Sequence, residues 1–190
     1  MKYLSAKFRA ATQRRESLAR CLALAMAAAV VLGAAATPPA MAAGVKAVAT
    51  FKDWSVHVIA GKSGKTCYVY SEPKKSAGKY SARGETYVLV THRSSPKTAN
   101  EVSVTAGYTY RKGDPVDIDV DGKKFALFTD GDTAWSRDAA GDAAMVAAMR
   151  SGAEMVIKGV SDRGTLTTDR YSLSGFTAAH QAIGKACNVK

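Results

Sequence analysis

The sequence has little of what metal and nucleophilic sites usually need. It contains three histidines, His57, His92 and His180, and none is paired at the i, i+4 spacing that places two metal ligands on one helix face. It also lacks a Gly-x-Ser-x-Gly turn, a CxxC pair and any pair of acids singled out by its surroundings. We therefore predict no catalytic residue, no metal and no cofactor.

Long hydrophobic runs are also scarce, and the one near the N-terminus is typical of an export signal. Cys21–Ala36 is a run of 16 residues without a charge, which is short for a membrane span but suits a signal peptide. A basic arm precedes it, and the small residues Ala40 and Ala42 follow at the positions that a signal peptidase requires. The pattern predicts that residues 1–42 are a signal peptide, cleaved after Ala42. An uncleaved anchor is the weaker alternative.

Export has consequences for the rest of the chain. Residues 43–190 have the size of one domain, and we expect that domain to be periplasmic, or secreted and surface-associated, with no transmembrane span in the mature chain. Arg14-Arg15 resembles a twin-arginine signal, but Ser17 stands where that signal has an apolar residue, so the general secretory route is favoured.

Cysteine is nearly absent from the mature chain. Cys67 and Cys187 are the two that remain after cleavage, and in an oxidising compartment two such cysteines usually pair. We therefore predict a Cys67–Cys187 disulfide that pins the C-terminus to an early strand.

The positive charge is partly a property of the signal. The whole chain has a formal net charge of +11, but six of its 27 basic residues and one of its 16 acids precede the cleavage site, leaving 21 against 15, or +6. The remaining basic residues include a loose cluster with tyrosines interleaved, which is a candidate site for an anionic polysaccharide. Its members are Lys62, Lys65, Lys74, Lys75, Lys79 and Arg83. A solvated loop is the simpler interpretation of the same cluster, and nucleic acid is not expected as a partner of an exported protein.

The mature chain consists mostly of short runs of β-branched and aromatic residues between turn signals, which is typical of a β-sandwich or barrel. Predicted strands are Trp54–Ala60, Thr66–Glu72, Glu85–Arg93, Val102–Tyr110, Val116–Asp121, Lys123–Thr129, Glu154–Val160 and Leu166–Leu173. Helical spacing predicts two short helices, Gly141–Ser151 and Thr177–Cys187. Pro73–Arg83 is predicted to be a flexible loop, and Trp54 and Trp135 are interpreted as core residues.

Two partial motifs are rejected. Gly64-Lys65-Thr66 resembles the end of a phosphate-binding loop, but Ile59 stands where that loop has its first glycine. Asp117-x-Asp119-x-Asp121-Gly122 resembles half of a calcium loop, but position 12 is Phe128 instead of an acid. Both segments are better interpreted as strands with tight turns.

Several segments, in this order along the chain, resemble the invasion associated locus B family. They are Phe51-x-x-Trp54, Thr66-Cys67-Tyr68, Val116–Gly122, Met145–Gly152 and Tyr171–Phe176. The resemblance implies an exported Gram-negative protein with an immunoglobulin-like β-sandwich, linked to the invasion of host cells, notably erythrocytes, and without enzymatic activity. Many members have a cysteine soon after the tryptophan, where this chain has Val58, so its disulfide framework must differ.

These observations favour an exported, non-catalytic interaction protein whose partner is an unknown envelope or host protein. Binding of an anionic envelope or host polysaccharide through the basic region is the alternative. An envelope hydrolase with an unrecognised site is the least favoured.

Overall fold

The computed structural model describes residues 47–189, so the predicted signal peptide and its cleavage site lie outside the described residues. Most of the described chain is β-structure. The strands are β1 (Ala49–Phe51), β2 (Trp54–Gly61), β3 (Gly64–Ser71), β4 (Lys75–Gly78), β5 (Tyr87–Ser94), β6 (Lys97–Thr105), β7 (Val116–Val120), β8 (Lys123–Asp130), β9 (Thr133–Trp135), β10 (Glu154–Val160) and β11 (Leu166–Ser172). The helices are α1 (Ala139–Ser151) and α2 (Phe176–Cys187).

All eleven strands belong to one antiparallel sheet, in the order β1-β2-β3-β5-β6-β9-β8-β7-β10-β11-β4. The sheet has two halves, one formed by β1, β2, β3, β5, β6 and β9 and the other by β7, β10, β11 and β4. The strand β8 joins them, because Lys123–Leu127 pairs with β7 while Phe128–Asp130 pairs with β9. Buried residues from both halves form a single core cluster. The mainly-β, sandwich-like fold predicted from the sequence is confirmed.

Alternation along the strands decides which side chains enter the core. In β7, Val116, Ile118 and Val120 are buried, whereas Asp117 is exposed and Asp119 is partly exposed. The predicted hairpin turn after β7 is present, with positive φ angles of 46° at Asp121 and 93° at Gly122, as expected for an Asp-Gly turn between antiparallel strands.

The helix α1 begins with a side-chain cap. The carboxylate of Asp138 accepts a hydrogen bond from the Gly141 N–H at 2.7 Å, which satisfies one of the free donors of the first turn. Asp142, in the first turn, accepts from the Val102 N–H at 3.0 Å and so ties the helix to β6. Met145 and Met149 are buried against the core.

The helix α2 packs on the inner faces of β2, β3 and β5. Its buried residues Phe176, Ala179, Ile183 and Cys187 recur at helical spacing. Gly175 precedes the helix with a φ of +93°, and a Cβ there would lie 1.9 Å from the Phe51 carbonyl oxygen. Only glycine fits this close approach.

The predicted disulfide is present. Cys187, the last residue of α2, is bonded to Cys67 in the middle of β3, with a Cα–Cα separation of 6.0 Å. Both cysteines are buried. The bond therefore fixes the end of the C-terminal helix to the centre of one half of the sheet.

The structure corrects the sequence prediction in several segments. Lys75–Gly78 is a short edge strand paired with β11, although Pro73–Arg83 was predicted to be a loop. Two strands of three residues each, β1 and β9, are also absent from the sequence prediction. The strand predicted over Val102–Tyr110 instead begins at Lys97 and ends at Thr105, shortly before Gly107, which has a φ of +71°.

Candidate interaction surfaces

The predicted anion-binding residues do not form one surface. Lys62 and Lys65 lie at the turn between β2 and β3, whereas Lys74 and Lys75 lie where the chain enters β4, beyond the other end of β3. An eight-residue strand is about 26 Å long, so the two pairs lie at opposite ends of it. Lys74 also makes an ion pair with Asp53 at 2.5 Å, a contact that lowers the pKa of Asp53 through its hydrogen bond.

Arg83 differs from these exposed lysines because its side chain is buried in an ion pair. Its guanidinium donates two hydrogen bonds of 2.7 Å to the Asp169 carboxylate and one of 2.6 Å to the Ala106 carbonyl. The side chains of Arg83 and Asp169 are only 7% and 5% exposed. The Arg83 carbon Cζ lies 5.0 Å from the centroid of the Tyr108 ring. Arg83 thus forms a structural ion pair with Asp169. All three of its guanidinium nitrogens already donate hydrogen bonds within the protein, so it is a poor ligand for an external anion.

Lys79 lies at a third location, a cleft with a cavity volume of about 630 Å³ between the loops at 79–84, 107–109 and 161–167. The cleft places Lys79 near Arg163 and the half-exposed Tyr80. The buried Arg83–Asp169 pair supports one side of it. The six residues that are close in sequence are therefore distributed over the two ends of β3, a buried ion pair and this cleft.

The outer face of one half of the sheet carries aromatic residues. A continuous row of paired residues crosses six strands, namely Ser55, Tyr70, Leu89, Ser103, Trp135 and Phe128. Paired positions point to the same side of a sheet, so this row is one surface. Phe128 is 37% exposed, and its ring centroid lies 6.0 Å from that of Trp135.

Further aromatic side chains extend the row on both sides. The His57 and Tyr68 rings stack with their centroids 4.8 Å apart, and Tyr87 lies 5.3 Å from Tyr70. We call this surface the aromatic face. It comprises His57, Tyr68, Tyr70, Tyr87, Leu89, Phe128 and Trp135, of which all but Phe128 are half-buried.

The tyrosines of the aromatic face keep a polar edge. The Tyr70 hydroxyl donates a hydrogen bond to Glu72 at 2.5 Å, and partial burial, followed by this contact, raises the pKa of Tyr70 above its usual range. Burial also raises the pKa of Tyr68. Both side chains therefore stay neutral at physiological pH and offer an apolar ring with a hydroxyl at its tip.

The two tryptophans have different roles. Trp54 is fully buried, lies 4.8 Å from Phe176 between ring centroids, and donates from its indole nitrogen to the Ser172 carbonyl at 3.0 Å. The core interpretation of Trp54 is correct. Trp135 was also interpreted as core, but it lies on the aromatic face. The alternation in β9, where Ala134 is buried between Thr133 and Trp135, is the sequence signal that could have placed it outside.

His92 of β5 and His180 of α2 contact each other between the sheet and the helix. His92 is buried, its ring centroid lies 5.0 Å from that of His180, and its Nδ1 accepts from the Asn100 N–H at 3.0 Å. His180 Nε2 lies 2.8 Å from the Asn100 side-chain oxygen. Burial lowers the pKa of both rings, that of His180 to about 4 with further contributions from His92 and Arg150. Both imidazoles are therefore neutral at pH 7.

The aspartate run that resembles a calcium loop is engaged by the protein itself. Asp119 makes an ion pair with Lys124 across the hairpin, which lowers the pKa of Asp119. Asp121 accepts hydrogen bonds from the backbone N–H groups of Ala153 and Glu154, at 2.6 and 3.2 Å. Within residues 47–189, no three metal-ligating side chains are grouped closely enough to hold an ion.

The family is decided by a match to the model of the invasion associated locus B (IalB) protein, which covers residues 54–184. The chain belongs to the IalB family. Neither the curated proteins nor the solved structures include a significant match to it. In the part of this IalB protein that the structure describes, no helix is both long and apolar enough to cross a membrane.

Proposed function

We propose that this IalB protein is exported to the bacterial envelope, where it acts as a non-catalytic interaction protein and contacts a protein partner through the aromatic face. The export signal and the family support the envelope location and a contribution to host-cell invasion. The aromatic face is the single observation that supports the mode of action.

The composition of the aromatic face is unusual for a sheet surface. The solvent side of an antiparallel sheet is normally polar, whereas this one presents three tyrosines on β3 and β5 and a tryptophan and a phenylalanine on β9 and β8, with Ser103 of β6 between the two groups. Tyrosine, tryptophan and phenylalanine are enriched at protein–protein interfaces. Soluble monomers rarely expose large apolar patches, and those that occur commonly mark interaction sites.

Its size also fits a protein partner. Four of the six strands have about eight residues, whereas β9 and the paired part of β8 contribute three each. At about 4.8 Å between strands and 3.3 Å per residue, the surface measures roughly 500 Å². This area is in the range of small, transient interfaces, which bury less than about 600 Å² on each partner. The ion pair of Arg93 with Glu101, at 2.6 Å, lies at its rim, as polar groups usually do in such interfaces.

The test compares two variants that each remove apolar side chains from the surface. Tyr87→Ser/Phe128→Ser changes the aromatic face, and Leu166→Ser changes a residue that is 56% exposed on β11. We expect the first variant to lose most of its binding to partner proteins isolated from envelope or host-cell membranes. The second should bind like the parent. Equal binding by all three proteins would contradict the role of the aromatic face.

The envelope location is tested separately. Periplasmic and surface fractions should contain a chain that begins at Ala43 or within a residue or two of it, as read by N-terminal sequencing. Recovery of the intact Met1 N-terminus from the periplasm would contradict the predicted cleavage.

A further inference from the structure

Two hairpins and the end of α2 meet at one end of the sheet. The Lys65 N–H donates to Ser94 Oγ at 2.7 Å, which joins the β2–β3 turn to the β5–β6 turn. A Cβ on Gly64 would lie 2.7 Å from the same oxygen, so the two turns are in close contact. Cys187 Sγ lies 3.4 Å from the Lys65 carbonyl oxygen, which brings the last turn of α2 to the same place.

This end of the molecule collects basic residues from four segments distant in sequence. Lys62 and Lys65 come from the β2–β3 turn, Lys97 from the start of β6, Lys185 from the last turn of α2 and Arg150 from the last turn of α1. All five side chains are exposed. We call this set the basic pole.

The charge of the basic pole is not balanced locally. The segments 54–71, 87–100 and 176–189 contain no aspartate or glutamate. Glu101, which follows the second of these segments, is already held by Arg93 in a two-point ion pair of 2.6 and 2.9 Å. None of the five basic residues makes an ion pair within residues 47–189.

A cavity lies within the basic pole. Its volume is about 350 Å³, and Arg150 and Lys185 line it together with Gln181, Asn188, His92 and His180. Guanidinium, ammonium and amide groups are the donors that bind sulfate and phosphate oxygens. The side chains of Lys65 and Cys67 project from the same face of β3, because the two residues are two positions apart. Lys65 therefore lies on the face of the sheet against which α2 packs and on which this cavity lies.

We infer that the basic pole binds an anionic polysaccharide through its sulfate or phosphate groups. One such group would occupy the cavity between Arg150 and Lys185, and further groups along the chain would contact Lys65, Lys62 and Lys97. Four neighbouring strands span about 15 Å, which gives a polymer several contacts at once. This surface is distinct from the aromatic face, so the inference goes beyond the proposed function and can fail independently of it.

The nature of the side chains favours a polysaccharide over single-stranded nucleic acid. Binding of unpaired nucleotides relies on aromatic rings on which the bases stack. The aromatic side chains that are most exposed within residues 47–189, Tyr80 and Phe128, belong to the cleft and to the aromatic face. At the turns of the basic pole, the residues between the lysines are serine, glycine and proline.

The experiment compares two variants of the mature protein with equal loss of charge. The pole variant is Lys62→Gln/Lys65→Gln/Lys97→Gln/Lys185→Gln. The control is Lys75→Gln/Lys79→Gln/Lys123→Gln/Lys158→Gln, whose four lysines are also exposed and make no ion pair within the described chain. Calorimetry with heparin oligosaccharides measures sulfate recognition, and the same titration with lipopolysaccharide measures phosphate recognition.

We expect the pole variant to bind at least about tenfold more weakly than the parent to one or both probes, and to show a shallower salt dependence. The control should stay within about threefold of the parent, and a variant with arginine at the same four pole positions should retain binding. If the pole and control variants lose the same amount of binding, the effect comes from net charge alone, and the inference is overturned. Equal affinity for duplex DNA, or binding to anionic lipid vesicles without binding to either polysaccharide, would also overturn it.

Discussion

The disulfide makes the clearest prediction about stability. The Cys67→Ala/Cys187→Ala variant removes a link between residues 120 positions apart. The loop-closure entropy of so long a loop corresponds to about 5 kcal/mol at 25 °C, and native bridges contribute about 2–5 kcal/mol in practice. Alanine is preferred to serine because both sulfurs are buried, and a buried hydroxyl without a partner would add about 1–3 kcal/mol of its own.

The assay is denaturant unfolding of the parent, the reduced parent and the double variant at neutral pH. We expect both the reduced parent and the variant to lose about 2–5 kcal/mol of unfolding free energy. Amide exchange should increase most in α2, because the bond holds the last residue of this helix. A variant within about 1 kcal/mol of the parent would refute the reasoning. So would free thiols in the protein isolated from the bacteria that make it.

Three further predictions concern buried and half-buried polar groups. Because the pKa of His180 is lowered to about 4 in the folded chain, the unfolded chain takes up its proton first as the pH falls below about 6.5, and stability is lost between there and pH 4. Titration of this one group should cost at most about 2 kcal/mol between pH 8 and pH 5, because solvent screening at the partly exposed ring reduces the full value. His180→Gln should reduce the acid loss correspondingly in unfolding experiments, and an unchanged pH profile would contradict this. Asp169→Asn should destabilise the protein by about 3–5 kcal/mol because it leaves Arg83 buried without its partner, whereas Glu154→Gln, in the exposed pair with Arg170, should cost less than about 1 kcal/mol. Tyr171→Phe should be neutral or stabilising by up to about 1 kcal/mol, because the Tyr171 hydroxyl is buried and has no hydrogen-bond partner within residues 47–189; a loss above that size would show that the hydroxyl is satisfied.

The sequence predicts strands best where one face is buried and the other is not. The strand Glu154–Val160 is predicted with its observed bounds, and β7 differs by one residue. The strand β4 has all four residues exposed, so it lacks the alternation on which such a prediction depends. Its existence is decided by pairing with β11, which lies about 90 positions later in the chain.

The candidate surfaces were less predictable for a physical reason. In β3, Tyr68 and Tyr70 alternate with Cys67 and Val69, so both faces look apolar and the pattern alone does not say which one is covered. The decision comes from α2, which packs on the cysteine side and leaves the tyrosines outside. The basic pole likewise depends on contacts between separate turns and helix ends, whereas the basic cluster in the sequence is divided by the length of β3.

The central claim is that the aromatic face meets a protein partner at the bacterial envelope, and site-specific photo-crosslinking tests it most directly. A photoreactive phenylalanine analogue is placed at Tyr87, on the aromatic face, or at Leu166, which is exposed on β11. Living bacteria, alone and in contact with host cells, are then irradiated. The account predicts a discrete crosslinked protein from position 87 and none from position 166. The same products from both positions, or none from position 87 under either condition, would contradict it.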